Sequence, residues 1–100
     1  MALKLRFDPQ AKRDIAEIRA YLVANAGEEA ADRVRADLRE RFNRLRRHPQ
    51  IGVATNDPTV RILAPTRYAY RIYFTTTSDT LVILHVRHTS RRMPDLDDLQ

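Results

Sequence analysis

The sequence contains no cysteine, only two glycines, three histidines and no long apolar run. Each scarcity removes a class of function. Without cysteine there is neither a disulfide framework nor a thiolate metal site, which fits a reducing compartment. With only Gly27 and Gly52, no glycine-rich loop can cradle the phosphates of a nucleotide. No stretch is apolar and long enough for a signal peptide or a membrane span, so the chain is expected to be soluble, cytoplasmic and free of membrane contact. No histidine spacing suggests zinc, so neither a metal nor a cofactor is expected. Internal repeats, low-complexity tracts and linkers are also missing. One hundred residues with 43% hydrophobic content then suit one domain spanning residues 1–100.

Acidic charge is in short supply too. Eighteen Lys and Arg stand against thirteen Asp and Glu, a net charge of +5. Such a balance favours anionic partners such as nucleic acid or an acidic protein. The surplus is uneven. "RERFNRLRRH" holds Arg39, Arg41, Arg44, Arg46 and Arg47 against Glu40, whereas the closing "PDLDDLQ" holds Asp95, Asp97 and Asp98 and no base.

What is present is clear periodicity. "ALKLRF" (2–7) alternates Leu3, Leu5 and Phe7 with Lys4 and Arg6, the pattern of a half-buried strand. Asp8 and Pro9 open a helix, the first as an acceptor for free backbone N–H groups and the second as a residue with none to lose. Ala11, Ile15, Ile18 and Leu22 form its apolar stripe, and Gly27 ends it. A second helix starts near Glu28 with Ala31, Val34, Leu38, Phe42 and Leu45 as its stripe. Glu29–Arg33, Asp37–Arg41 and Glu40–Arg44 are spaced for ion pairs on a solvated face. His48-Pro49 stops that helix, with His48 as a cap or dipole partner. The short connection predicts an antiparallel helix hairpin. Residues 50–59 read as a loop. "VRIL" (60–63), "YAYRIYF" (68–74) and "LVILHVRH" (81–88) read as strands, with "TTTSDT" as a hairpin loop. The fold class is α+β: an N-terminal strand, an antiparallel helix hairpin, then a mainly antiparallel sheet of about four strands, in two layers.

Simple alternation places Val82, Leu84 and Val86 on the core face of the last strand and Leu81, Ile83, His85 and Arg87 on the other. Lys4, Arg6, Arg61 and Arg71 join that second face, with Tyr73 among them. Three readings of it compete: a solvated outer surface, a nucleic-acid surface on which Tyr73 stacks a base, and a docking face for an acidic or amphipathic protein segment. RNA cleavage needs a base, an acid and positive charge, and His85, His88 and the arginines are the available groups. His85 and His88 lie three apart, which points them to opposite faces of an ideal strand. No carboxylate alternates with them.

Three motifs together resemble the ParE branch of the RelE/ParE toxins of bacterial type II toxin–antitoxin modules. They are the opening Phe7, Pro9, Ala11, Asp14 and Ile15 (F-x-P-x-A-x-x-D-[IL]), the "YRIY" of Tyr70 to Tyr73, and the ending V-x-H-x-x-R of Val86, His88 and Arg91. The resemblance covers nearly the whole chain. It implies a strand, a helix hairpin and an antiparallel sheet, with the first strand beside the last. It implies a toxin that acts on DNA gyrase and arrests growth in a plasmid-stabilisation type of module. It also implies a cognate antitoxin held in a toxin–antitoxin hetero-oligomer. The resemblance points to target binding rather than catalysis, with Arg87, His88, Arg91 and Arg92 as contacts and Arg61 and Arg71 as secondary ones. The RelE branch implies the alternative, a ribosome-dependent endoribonuclease with His88, Arg71 and Arg87 as catalytic groups. The tyrosine common near the C-terminus of that branch is missing here, since no tyrosine follows Tyr73. A non-toxic basic binding module is the third possibility.

Overall fold

A computed structural model describes residues 2–65 and 67–89. The chain runs β1 (Lys4–Phe7), α1 (Pro9–Ala26), α2 (Glu28–Arg47), a short 3-10 turn (Pro49–Ile51), β2 (Val53–Ala54), β3 (Arg61–Leu63), β4 (Tyr70–Thr76) and β5 (Thr80–His88). The five strands form one sheet in the order β1-β5-β4-β3-β2. β1 runs parallel to β5, and every other pairing is antiparallel. The expected neighbourhood of first and last strands is therefore present. A fifth strand, β2, lies inside the segment expected to be loop. With only two residues, both exposed, it carries no burial pattern that alternation could reveal.

The helix limits follow their sequence signals. The Asp8 side chain accepts a hydrogen bond from the Gln10 N–H, Pro9 takes the first helical position, and Gly27 closes α1 at φ 92°. A β-carbon is costly at that positive φ, which is why glycine serves there. His48 caps α2 through its backbone N–H, which donates to the Arg44 carbonyl. All five stripe residues of α2 are buried. Val34, Leu38, Phe42 and Leu45 pack on one sheet face with Ala11 of α1, Tyr70, Ile72 and Phe74 of β4, and Leu81, Ile83 and Val86 of β5. Phe7 meets Phe42 edge-on at 5.3 Å between ring centres, which ties β1 to α2.

The charged side of α2 is less uniformly solvated than its spacing suggests. Arg41 is buried, donates to the Ala64 carbonyl at 2.8 Å and lies 3.9 Å from Asp37. Burial pushes the Arg41 pKa down, with Asp37 opposing the shift. Neither Glu29–Arg33 nor Glu40–Arg44 forms an ion pair among the described residues. Exposed side chains at that spacing gain too little to hold one geometry.

β5 departs from simple alternation. Tyr73 pairs with His85 but Phe74 pairs with Ile83, so Leu84 is an extra residue in β5. This is a β-bulge, which resets the phase of the strand. Leu81 and Ile83 consequently join the helix-side core cluster, whereas Val82 is buried on the opposite face and Leu84 is only partly buried. The expected assignment is thus reversed before the bulge and correct after it, where Val86 is core and His85 and Arg87 are not. Arg61 also falls on the unexpected face. It pairs with Phe74, a core residue, and its guanidinium donates to the Gly52 carbonyl.

Candidate functional site

Both helices pack against one face of the sheet, and among the described residues no helix covers the other. Register places its side chains in rows. Arg71 stands opposite Arg87; Ile62, Tyr73 and His85 form the next row; then come Thr75, Val82 and Arg6; Lys4 lies beside Thr80. The middle is shielded, with Tyr73 0% and Val82 4% exposed, and both ends are basic. Arg71 and Arg87 are directly cross-strand, a position in which like charges repel and β-carbons lie about 5 Å apart. Arg71 forms no ion pair with any described residue.

In the adjacent row sits Tyr73, whose buried hydroxyl has no hydrogen-bond partner among the described residues. A buried hydroxyl left unpaired costs on the order of 1–3 kcal/mol. Burial raises its pKa, and the nearby Arg71 and Arg87 guanidinium groups oppose that rise.

The support beneath this face comes from α1. β1 stops at Phe7, where the Asp8 N–H donates to the Ile83 carbonyl. Past that point β5 has no strand beside it on this edge among the described residues. Asp14, itself buried, fills the gap. Its Oδ2 accepts from the Val86 backbone N–H at 3.0 Å and also contacts Nδ1 of His85. A carboxylate oxygen accepts only, so the imidazole proton resides on Nδ1. Nε2 then presents a lone pair, and Arg87 Nη1 lies 3.3 Å from it. Asp14, His85 and Arg87 form one chain of polar contacts from helix to open face. Asp14 sits in the opening sequence motif, but no periodicity or spacing pairs it with His85, 71 residues away. That link is a product of the bulge and of the early end of β1.

The expected contact residues separate in space. Arg71 and Arg87 come together. His88 turns to the helix side, edge-on to Tyr70 at 5.3 Å, in a cleft of about 230 Å³ shared with Asp14, Glu17, Tyr21 and part of Arg87. Arg61 is on the helix face near the far edge of the sheet. Arg91 and Arg92 lie outside the described residues. The histidine that shares a face with Arg71 and Arg87 is therefore His85, not His88.

A second concavity lies between the helices. This groove of about 360 Å³ is lined by Ile15, Ile18, Leu22, Val34 and Leu38, with Lys12 and Arg35 at its rim. No helix among the described residues is long and apolar enough to cross a membrane. The described residues also hold no cluster of three or more metal-ligating side chains.

Comparison with known proteins accords with this architecture. Residues 5–93 match the family described as the ParE toxin of the type II toxin–antitoxin system, parDE. No curated protein sequence gives a significant match. Among solved structures, the chain resembles one from the chromosomal ParDE toxin–antitoxin system of P. aeruginosa. The TM-score is 0.75 at 22% identity, over 87% of this chain and 96% of that one. It also resembles one from the RelBE2 toxin–antitoxin complex of Mycobacterium tuberculosis, with a TM-score of 0.57 at 24% identity, over 88% of this chain and 99% of that one. At those identities the likeness concerns the fold, while the match across residues 5–93 carries the assignment: this chain belongs to the ParE toxin family of type II toxin–antitoxin systems.

Proposed function

We propose that this toxin arrests growth by binding DNA gyrase through the Arg71–Arg87 end of its open sheet face, with no bond-breaking chemistry of its own. One observation carries the choice of binder over nuclease. His85, the histidine that shares the open face with those arginines, has both ring nitrogens in contact, one with Asp14 and one with Arg87. A general base needs a free nitrogen within reach of the proton it removes. The paired guanidinium groups suit a protein surface rich in carboxylates.

In this reading a cognate antitoxin silences the toxin. The apolar groove between α1 and α2 fits one stripe of an amphipathic segment, and its Lys12 and Arg35 rim favours acidic flanks on that segment. The partner would thus be an acidic protein, and the resting form a hetero-oligomer.

The test compares two assays on the purified chain. Gyrase supercoiling should fall with toxin concentration while ribosome-bound mRNA stays intact. Codon-defined cleavage with unaffected supercoiling would establish the endoribonuclease instead.

A further inference from the structure

We infer that Arg35, Arg39 and Arg47, on the outer side of α2, form a docking surface for the phosphate backbone of double-stranded DNA. This surface belongs to the helix layer, away from the open sheet face, and the inference does not depend on the gyrase reading.

The argument starts from what the arginines of α2 do. Arg41 donates to the Ala64 carbonyl and Arg46 to the Leu3 carbonyl, so both tie the helix to the rest of the fold. Arg35, Arg39 and Arg47 are exposed and form no ion pair with any described residue. With Asn43 they recur every fourth residue, which sets them along one winding row at steps of about 6 Å. Arg35 and Arg39 are like charges at i, i+4, a spacing that weakens a helix. The helix dipole accounts for a base in the last turn such as Arg47, but not for Arg35 and Arg39 farther in. The surface beside the row is concave: Ala36, Arg39, Glu40, Asn43 and Arg47 line an open depression of about 340 Å³.

The composition of the row selects its occupant. It holds no large apolar side chain, since Val34, Leu38, Phe42 and Leu45 all turn to the core. A protein interface is centred on buried apolar and aromatic anchors, so an acidic protein is the poorer fit. The row has no aromatic ring either, so the bases of a single strand find nothing to stack on. What remains is a file of guanidinium groups, which suits a regular line of phosphates. Its carrier is an exposed α-helix, which the major groove of B-DNA, about 12 Å wide, admits; the deep, narrow major groove of duplex RNA does not. From Arg35 to Arg47 the helix rises about 18 Å, the length of about five base-pair steps. Glu40, the acid among the residues lining the depression, opposes a phosphate there.

The experiment is a fluorescence-anisotropy titration of a short duplex DNA with the full chain, repeated over a range of salt concentrations. Three phosphate contacts predict a slope of about −2.7 for log K against log salt. Arg39 and Arg47 lie outside the groove between the helices, and glutamine keeps a good helix former at each position. Arg39→Gln and Arg47→Gln should each weaken binding by about eightfold at roughly 0.1 M salt and reduce the slope by about one. Glu40→Gln should tighten binding, a gain that a merely structural role for Glu40 would not give. Arg33→Gln removes the same charge from the neighbouring side of α2 and should leave affinity and slope nearly unchanged. Arg71→Gln/Arg87→Gln should bind the duplex as the parent does. If Arg33→Gln weakens binding as much as Arg39→Gln does, the chain holds DNA through net charge and the surface is wrong. It is equally wrong if the loss follows Arg71→Gln/Arg87→Gln instead, or if poly-glutamate or a single-stranded oligonucleotide of equal charge displaces the duplex. None of these readouts involves gyrase, so failure here and failure of the gyrase reading are separable.

Discussion

The two halves of β5 make an instructive pair. Residues 81–83 lie between β1 and β4, so their backbone is paired on both sides. Residues 85–88 keep β4 but lose β1, and a carboxylate from α1 replaces the missing strand. The first half points Leu81 and Ile83 into the core and does nothing else visible. The second half carries His85, Arg87 and His88. Polar chemistry has gathered where strand pairing runs out, because an unpaired edge inside a fold must be satisfied by side chains.

Four substitutions probe that contrast, in falling order of expected effect. Phe74→Ala, on the core face beside Ile83, should cost about 3–5 kcal/mol, read as a lower urea midpoint. Asp14→Ala removes the acceptor for both the Val86 N–H and His85 and should cost about 2–4 kcal/mol; native-state hydrogen exchange should show faster loss of the Val86 amide than of the Ile83 amide. If both amides speed up equally, the two halves are not held differently. Gly52→Ala would place a β-carbon 2.4 Å from Phe74 Cζ and should cost about 1–3 kcal/mol through overpacking.

Tyr73→Phe is the smallest. It deletes a hydroxyl that has no partner among the described residues, so stability at neutral pH should rise by about 1 kcal/mol. Its signature is at alkaline pH. The folded Tyr73 pKa is raised by burial, so above the ordinary tyrosine value the unfolded chain releases the proton while the folded chain retains it. Stability is therefore intact below about pH 10 and falls as pH rises through the folded pKa. Denaturation curves across that window should show a shallower loss for Tyr73→Phe than for the parent.

Much of this was legible in the sequence for identifiable reasons. Asp8, Pro9 and Gly27 fix the limits of α1 through local backbone chemistry. The α2 stripe from Ala31 to Leu45 has one period and no interruption, and all five of its residues are buried. Alternation failed in β5 because one extra residue inverts every side chain on one side of it, and Leu84 looks like any other strand residue. Arg61 was misplaced because β3 is three residues long, too short for a pattern to outvote its neighbours. The Asp14–His85 contact depends on tertiary closure and leaves no local trace. His88 drew attention through its family motif, yet the pleat turns it toward Tyr70.

The central claim is that the paired arginines of the open face, and not a histidine, make this toxin harmful. Its most direct measurement is growth after induction, without antitoxin, of the parent, of Arg71→Gln/Arg87→Gln and of His88→Ala, with supercoiling of plasmid DNA read in the same cells. The account predicts that the double arginine variant melts like the parent but restores growth and supercoiling, while His88→Ala remains toxic. Persistent killing by the double variant, with toxicity and transcript cleavage both abolished by His88→Ala, would contradict it.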